Sequence, residues 1–420
     1  MIPLAKNWSR LDNAAKIFPP TSGKADTRVF RFSCTLTEPV DPEPLARALS
    51  DAMVDFPSFR YVLKRGLFWY YLEEGDFPAT VCEEDAPPCA ALYQGFAAPL
   101  FAVTYYGARV NLEVYHALTD ATGALQFLRT LIYRYLLLRH PELARDGVPA
   151  LDYDASRGQR MDDSFDRYYS GKRRRMAPGP VAYQLRGLRH PQWRQQVIVG
   201  TASASGLLQR ARAMGATITE LLAAILLLCI DAERPLRARR RPVVVTIPVN
   251  LRKYFDSASA RNFFSVVNIG YDFRAHPATL EAVVASVRES LRRALTPEAL
   301  ENRLNALGAL ERNPFMRAVP LFLKDPIMRL SCDIAERDFT ASLSNVGRIT
   351  MPEALMPFLE RFDVYCATRK MQLCVCTLGD TLSMGFTTSL ISTDVQRRFF
   401  RALTAMDLDV TIYANHPESR

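Results

Sequence analysis

The chain has 420 residues, of which 49% are apolar and 23% charged. That balance is ordinary for a globular protein and excludes dominant disorder, a collagen-like repeat or a disulfide-stapled mini-domain. The length exceeds one compact core and implies two domains or three.

Net charge is +9, and arginine supplies most of the positive charge. Two blocks concentrate it, Lys172 to Arg175 and Arg237 with Arg239 to Arg241. Such blocks serve plain solvation, an anionic cofactor or an acidic carrier protein. No nucleic-acid partner is expected, because aromatics do not interleave with the basic runs and no binding motif is present. The longest apolar run, Leu221 to Ile230, falls far short of the roughly 20 residues of a membrane span. The first residues, Met1-Ile-Pro-Leu-Ala-Lys6, lack the basic and apolar segments of a secretory signal. A soluble, cytoplasmic protein is the expectation.

In chain order, residues 27–36 read as a strand rich in Val, Phe and Thr. Residues 41–54 read as a helix capped by Asp41, with Leu45, Leu49 and Met53 at helical spacing. Two short strands follow, 59–64 and 67–72, around Arg65-Gly66, and a hairpin joins 99–106 to 110–115 across Gly107-Ala108. Residues 121–139 form a long helix with Leu125, Leu128, Ile132 and Leu136 on one face. Periodicity then collapses from Pro141 to about Pro191, as in an inter-domain crossover. A strand at 195–201 precedes helices at 203–214 and 217–232, the second capped by Thr217 or Thr219. Strands at 242–249 and 263–273, two helices within 277–313, strands at 339–343, 362–367, 373–378 and 381–387, and a helix at 393–406 complete the pattern. No element is assigned between 314 and 338. Strands with helices packed on one side imply two α/β sandwich lobes, 1–175 and 195–420, with the crossover at about 141–194.

Eight cysteines lie mostly inside apolar runs, where a free thiol behaves as a small hydrophobe. Cys374 and Cys376 share a strand face with Gln372, yet no second Cys or His pair stands at zinc spacing, so no metal is expected. Of the five histidines, His140, His190, His276 and His416 each precede Pro in polar surroundings. His116 differs. Alternation through Asn111-Leu-Glu-Val-Tyr-His116 sets it on the face of Leu112 and Val114, at a strand end just before a helix. A lone inward histidine is commonly a satisfied core residue. Here Asp120 stands four residues on and Gly123 sits where turn becomes helix. An imidazole in that setting is a natural general base near neutral pH.

His116-x-x-x-Asp120 resembles the H-H-x-x-x-D-G motif of the chloramphenicol acetyltransferase-like superfamily. That superfamily contains peptide-synthetase condensation domains, plant BAHD acyltransferases, wax ester synthases and alcohol acetyltransferases. Three more segments are similar to its alcohol acetyltransferase-like, polyketide-associated-protein-like branch: Arg10-Leu-Asp-Asn-Ala-Ala-Lys-Ile-Phe18, Pro248-Val-Asn-Leu-Arg252 ahead of Arg261-Asn-Phe-Phe264, and Ser344-Asn-Val-Gly347. Their order spans nearly the whole chain. The resemblance implies two chloramphenicol acetyltransferase-like lobes with a tunnel at their interface. It implies an acyltransferase in which an acyl-CoA or acyl-carrier phosphopantetheine thioester meets an alcohol or amine acceptor at His116, the general base. Asp120 would be structural and pair with an arginine of the second lobe, for which Arg252 is the candidate. Ser344 and Asn345 are candidates for oxyanion or acceptor contacts.

Two positions depart from the motif. Tyr115 replaces its first histidine and Ala121 its glycine, which leaves a non-catalytic scaffold partner of a synthase as the alternative. No Gly-x-Ser-x-Gly elbow, phosphate-cradling glycine loop or Cys–His pair offers a rival nucleophile. Direct transfer without a covalent intermediate follows by elimination.

Overall fold

The computed structural model describes residues 7–92, 98–145, 147–151, 164–172, 179–312 and 317–415. His416, Asp162-Asp163, the opening Met1–Lys6 segment and Arg173 to Arg175 lie outside the described residues.

The first half opens with β1 (Trp8–Arg10) and β2 (Val29–Leu36), then helix α1 (Pro42–Asp55). Strands β3 (Tyr61–Arg65), β4 (Tyr70–Glu74), β5 (Val81–Glu83), β6 (Phe101–Tyr106) and β7 (Arg109–Tyr115) lead into helix α2 (Ala121–Arg139). The second half begins with β8 (Gln196–Ser203), α3 (Ala204–Ala213) and α4 (Ile218–Glu233), followed by β9 (Val243–Asn250) and β10 (Phe264–Tyr271). Three helices come next: α5 (Leu280–Ala294), α6 (Pro297–Arg312) and α7 (Leu321–Ala335). Strands β11 (Ala341–Ile349), β12 (Leu359–Cys366), β13 (Met371–Leu378) and β14 (Thr381–Thr388), helix α8 (Asp394–Thr404) and β15 (Thr411–Ala414) close the chain.

Local chemistry accounts for the helix starts. The Asp41 carboxylate accepts from the Glu43 N–H and Pro42 occupies the first turn, where its missing N–H costs nothing. Thr217, not Thr219, caps α4 in a reciprocal box with Glu220. Helix α2 occupies the predicted span, because Asp120 caps it and its apolar stripe is continuous.

Three sheets result. One is β1-β4-β3, a second is β12-β2-β7-β6-β5, and the third runs β10-β9-β11-β13-β14-β8-β15. The mixed α/β character and the two-lobed form agree with expectation. Strand β12, however, comes from the second half and pairs antiparallel with β2 of the first, so the first half's sheet is completed by a distant segment. The predicted strand at 67–72 lies instead at Tyr70–Glu74, because Leu67 and Phe68 form the hairpin tip. Helix α7 and strands β1, β5 and β15 are elements that sequence patterning did not mark.

The central strands β13 and β14 of the seven-stranded sheet are buried on both faces, whereas its edge strands β10 and β15 carry exposed residues. Along β13, Leu373 and Val375 join the core beneath α4, α5 and α8, while Cys374 and Cys376 join the core of the first half. This alternation is the two-residue period of a strand, and it sets both thiols on one face as expected. Gly385 of β14 lies where β12 crosses: a Cβ there would stand 2.8 Å from the Val364 carbonyl oxygen and 3.1 Å from the Tyr365 ring. We expect Gly385→Ala to lower stability by about 1–3 kcal/mol, read as a fall in the urea midpoint. An unchanged midpoint would mean that β12 is not pressed against β14.

Candidate active site

Asp120 ends the turn after β7 and caps α2. Its Oδ1 accepts from the N–H groups of Thr122 (3.0 Å) and Gly123 (3.1 Å). Its Oδ2 turns to the second half, accepting from Arg252 Nη1 (2.7 Å) and the Phe263 N–H (2.9 Å). The guanidinium is held in turn by the carbonyls of Ser259 (2.8 Å) and Arg261. Arg252 thus meets Asp120 as anticipated, with both side chains almost fully buried. Beside them, Asn250 donates to Thr122 Oγ1 (3.1 Å), a second link between the halves. Gly123 is required by packing, since a Cβ would lie 2.1 Å from the Ala260 carbonyl oxygen.

His116 follows the last residue of β7, and its N–H donates to the Arg28 carbonyl (2.9 Å). Phe18 stacks on its ring at 4.5 Å between centroids and 20° between planes. Phe30 and Phe264 flank the same ring at 4.8 and 5.6 Å. The orientation of Asn262 fixes the tautomer. Its Nδ2 donates to Asp12 Oδ2 (3.1 Å) and to the His116 carbonyl (3.1 Å), and a carbonyl can only accept. Asn262 Oδ1 is therefore the atom 3.2 Å from His116 Nδ1, and Nδ1 carries the proton. Nε2 is left as the lone-pair nitrogen. Burial holds the imidazole pKa below its usual 6.5, partly offset by the Asp120 charge and the Asn262 bond. Tyr115 is buried with its hydroxyl 2.8 Å from Ser22 Oγ, and it does not line the cavity at His116.

That cavity measures about 540 Å³ and is walled by both halves, with His116 and Ala121 on one side and Thr219, Asn250, Ser344 and Asn345 on the other. A larger hollow of about 740 Å³, lined in part by Lys24, Pro87, Trp193 and Asn415, contains none of the motif residues. The Asn345 amide donates to Thr219 Oγ1 (2.8 Å) and its oxygen accepts from the Gly347 N–H (2.9 Å). Gly347 has φ +92°, a conformation suited to glycine, at the bulge in β11. Asn345 is thus committed to holding the bulge, whereas the half-buried Ser344 borders the cavity beside it. Cys366 and Cys374 also border the cavity, but burial pushes the Cys374 thiol up to about 12 and the Cys366 thiol well above its usual value. Neither is a thiolate near neutral pH.

Sequence patterning did not single out Asp12 or Asn262 as site residues, although both lie inside the quoted segments. It also missed the basic groups at the cavity, Lys253, Arg288 and Arg292. The block at Arg237 to Arg241 does not line the cavity, and its arginines are exposed.

No family model matches the sequence, and no curated protein does. Solved structures do match. Polyketide synthase associated protein 5 from Mycobacterium tuberculosis aligns over 94% of this chain and 96% of its own, at 15% identity and TM-score 0.58. TRI3 trichothecene 15-O-acetyltransferase from Fusarium sporotrichioides aligns over 96% and 94%, at 11% identity and TM-score 0.60. A mutant starter condensation domain of rhizomide synthetase, in complex with C8-CoA and Leu-SNAC, aligns over 95% and 94%, at 13% identity and TM-score 0.59. The chain has the two-lobed condensation-domain fold. At these identities the likeness is one of fold.

In this condensation-domain fold, Asp120 and Arg252 are the clasp between lobes. Removing the guanidinium would leave a buried carboxylate facing only N–H groups. We expect Arg252→Ala to cost about 3–5 kcal/mol, measured by urea denaturation, with Arg252→Lys recovering part of the loss. A cost within that of an ordinary surface substitution would show that the pair does not join the lobes.

Proposed function

We propose that the protein is an acyltransferase that moves an acyl group from a CoA or carrier-protein thioester to an alcohol or amine. The observation that carries this reading is the His116 ring, which lines the inter-lobe cavity with its Nδ1 tied to Asn262, so that Nε2 is the nitrogen left to act as a base. Nε2 would take the proton of the acceptor O–H or N–H as that atom attacks the thioester carbonyl carbon. Collapse of the tetrahedral intermediate then breaks the C–S bond, and the imidazolium returns the proton to the departing thiolate. Ser344 is the better candidate than Asn345 for a donor to the oxyanion, because Asn345 already spends both ends of its amide. The raised thiol pKa values of Cys366 and Cys374 support direct transfer without a cysteinyl intermediate. Lys253, Arg288 and Arg292 supply positive charge for the phosphates of a phosphopantetheine or CoA donor. The Tyr115 and Ala121 departures do not remove the base, since Tyr115 is engaged with Ser22.

The direct test is free-thiol release from acyl-CoAs and acyl-loaded carrier proteins, with mixed alcohols and amines as acceptors. Wild-type turnover should fall about 10²–10⁴-fold in His116→Ala. Folded wild-type protein that turns over neither class of donor would replace this reading with a non-catalytic scaffold of the same fold.

Because the base must be unprotonated, kcat/KM should fall as pH drops through the pKa of His116. Burial sets that acid limb below 6.5. Asn262→Asp should move it upward, since a carboxylate at Nδ1 favours the imidazolium. With an alcohol acceptor, which does not titrate in this range, an acid limb indifferent to Asn262→Asp would exclude His116 as the base.

A further inference from the structure

Helix α7 is amphipathic, and it is mounted with its polar side against the protein. Its first N–H, from Leu321, donates to the Leu67 carbonyl (2.9 Å). Lys324 is buried, donating to the Phe68 carbonyl (2.9 Å) with Nζ 3.5 Å from the centre of the Trp69 ring. Asp325 accepts from the Tyr70 hydroxyl (2.8 Å) and pairs with Arg65 (3.6 Å). Farther along, Arg329 donates to the Pro20 carbonyl (2.5 Å), and Glu336 just beyond the helix pairs with Arg28 (3.2 Å). Polar groups thus dock the helix onto the first half.

The outward side is apolar. Leu323, Ile327, Leu330 and Ile334 recur at intervals of four, three and four residues, one stripe of a helix. They are 52, 52, 61 and 53% exposed. Phe322 at 63% and the adjoining hairpin tip, Leu67 at 64% and Phe68 at 39%, extend the same surface. A contiguous exposed apolar patch of this kind marks an interaction surface.

Charge decides among occupants. Lys64 and Arg65 adjoin Leu67 and Phe68, and Lys16 lies 5.5 Å from the Trp69 ring centre. The helix's acids are paired, Asp325 with the Tyr70 hydroxyl and Arg65 (3.6 Å) and Asp333 with Arg369 (2.6 Å), which leaves the rim with a net positive charge. A second copy docked on this face would bring two like-charged rims into one interface. An apolar helix face rimmed by cations, on a chain of net charge +9, matches an anionic lipid surface.

We propose that the face made by α7 and the β3–β4 hairpin tip seats the protein on bilayers bearing anionic headgroups. The Leu323–Ile334 stripe, Phe322 and the hairpin tip enter the boundary of the acyl chains, while Lys64 and Arg65 meet the lipid phosphates. No helix crosses the membrane in this arrangement; among the described residues none is long and apolar enough to do so. The inference does not depend on acyl transfer.

The test is vesicle flotation of the full chain with phosphatidylcholine alone and with added phosphatidylglycerol. Wild type should float with the anionic vesicles, less so at high salt. The pair Ile327→Glu and Leu330→Glu should lower the bound-to-free ratio by about tenfold or more, and Lys64→Glu should lower it less. Both positions are exposed, so an unchanged circular dichroism spectrum and melting temperature would certify the fold. Three results would overturn the proposal. They are wild type that does not float, flotation indifferent to the paired substitution, or a wild-type dimer in light scattering that the same pair dissociates.

Discussion

One carboxylate, that of Asp120, joins the two lobes. Its two oxygens accept four donors: the Thr122 and Gly123 N–H groups at the start of α2, the Arg252 guanidinium, and the Phe263 N–H. A buried ion pair is costly to desolvate and repays that cost only when its remaining hydrogen-bonding capacity is filled. Here it is filled, and from both halves. The same atoms that end the β7–α2 turn therefore set how far the 251–263 loop stands from His116. The cavity, the pose of Asn262 and the place of Phe264 against the imidazole all follow from that spacing.

In the proposed reading, the surroundings of His116 prepare an ordinary side chain for one role. Stacking on Phe18 removes water from one ring face, and burial disfavours the imidazolium. Asn262 holds Nδ1–H, and Asp12 together with the His116 carbonyl prevents Asn262 from turning over. The chain Asp12–Asn262–His116 does what a carboxylate bound directly to the imidazole does elsewhere, but through a neutral amide. It orients the ring without adding a charge that would raise its pKa. Arg261 adds to the arrangement by donating to the Arg10 carbonyl, bringing the 10–18 and 261–264 segments together.

Two elements extend across the molecule in ways that matter for shape. Strand β12 leaves the second half to complete the first half's sheet, and its end lines the cavity through Val364, Tyr365 and Cys366. Helix α7 also leaves the second half, but it docks by polar contacts and keeps its apolar stripe outside. Its stripe was present in the sequence at Leu323, Ile327, Leu330 and Ile334. Pro326 falls inside that run and reads as a breaker, and no inward core accompanies it. A helix held by Lys324 and Asp325 has no signature in hydrophobic periodicity, because the code it obeys is hydrogen bonding to the backbone of a remote hairpin.

What the amino-acid sequence determined by itself was whatever short-range physics controls. The limits of α2 follow from Asp120 as cap and from an unbroken apolar stripe, and the four-residue spacing of His116 and Asp120 is one turn of chain. Alternation was enough to set His116 on the inward face and to put Cys374 and Cys376 together. The Arg252 partner was legible only through resemblance, since 132 residues separate it from Asp120 and no local rule connects them. Tertiary structure alone decided that Asn262 faces His116, that Asp12 steadies Asn262, that Lys253 and Arg288 border the cavity, and that β12 crosses over. The reason is common to all four. A cap or a period is satisfied within a few residues, whereas the partner of a buried polar atom is chosen by which segments the packed sheets bring within hydrogen-bond reach.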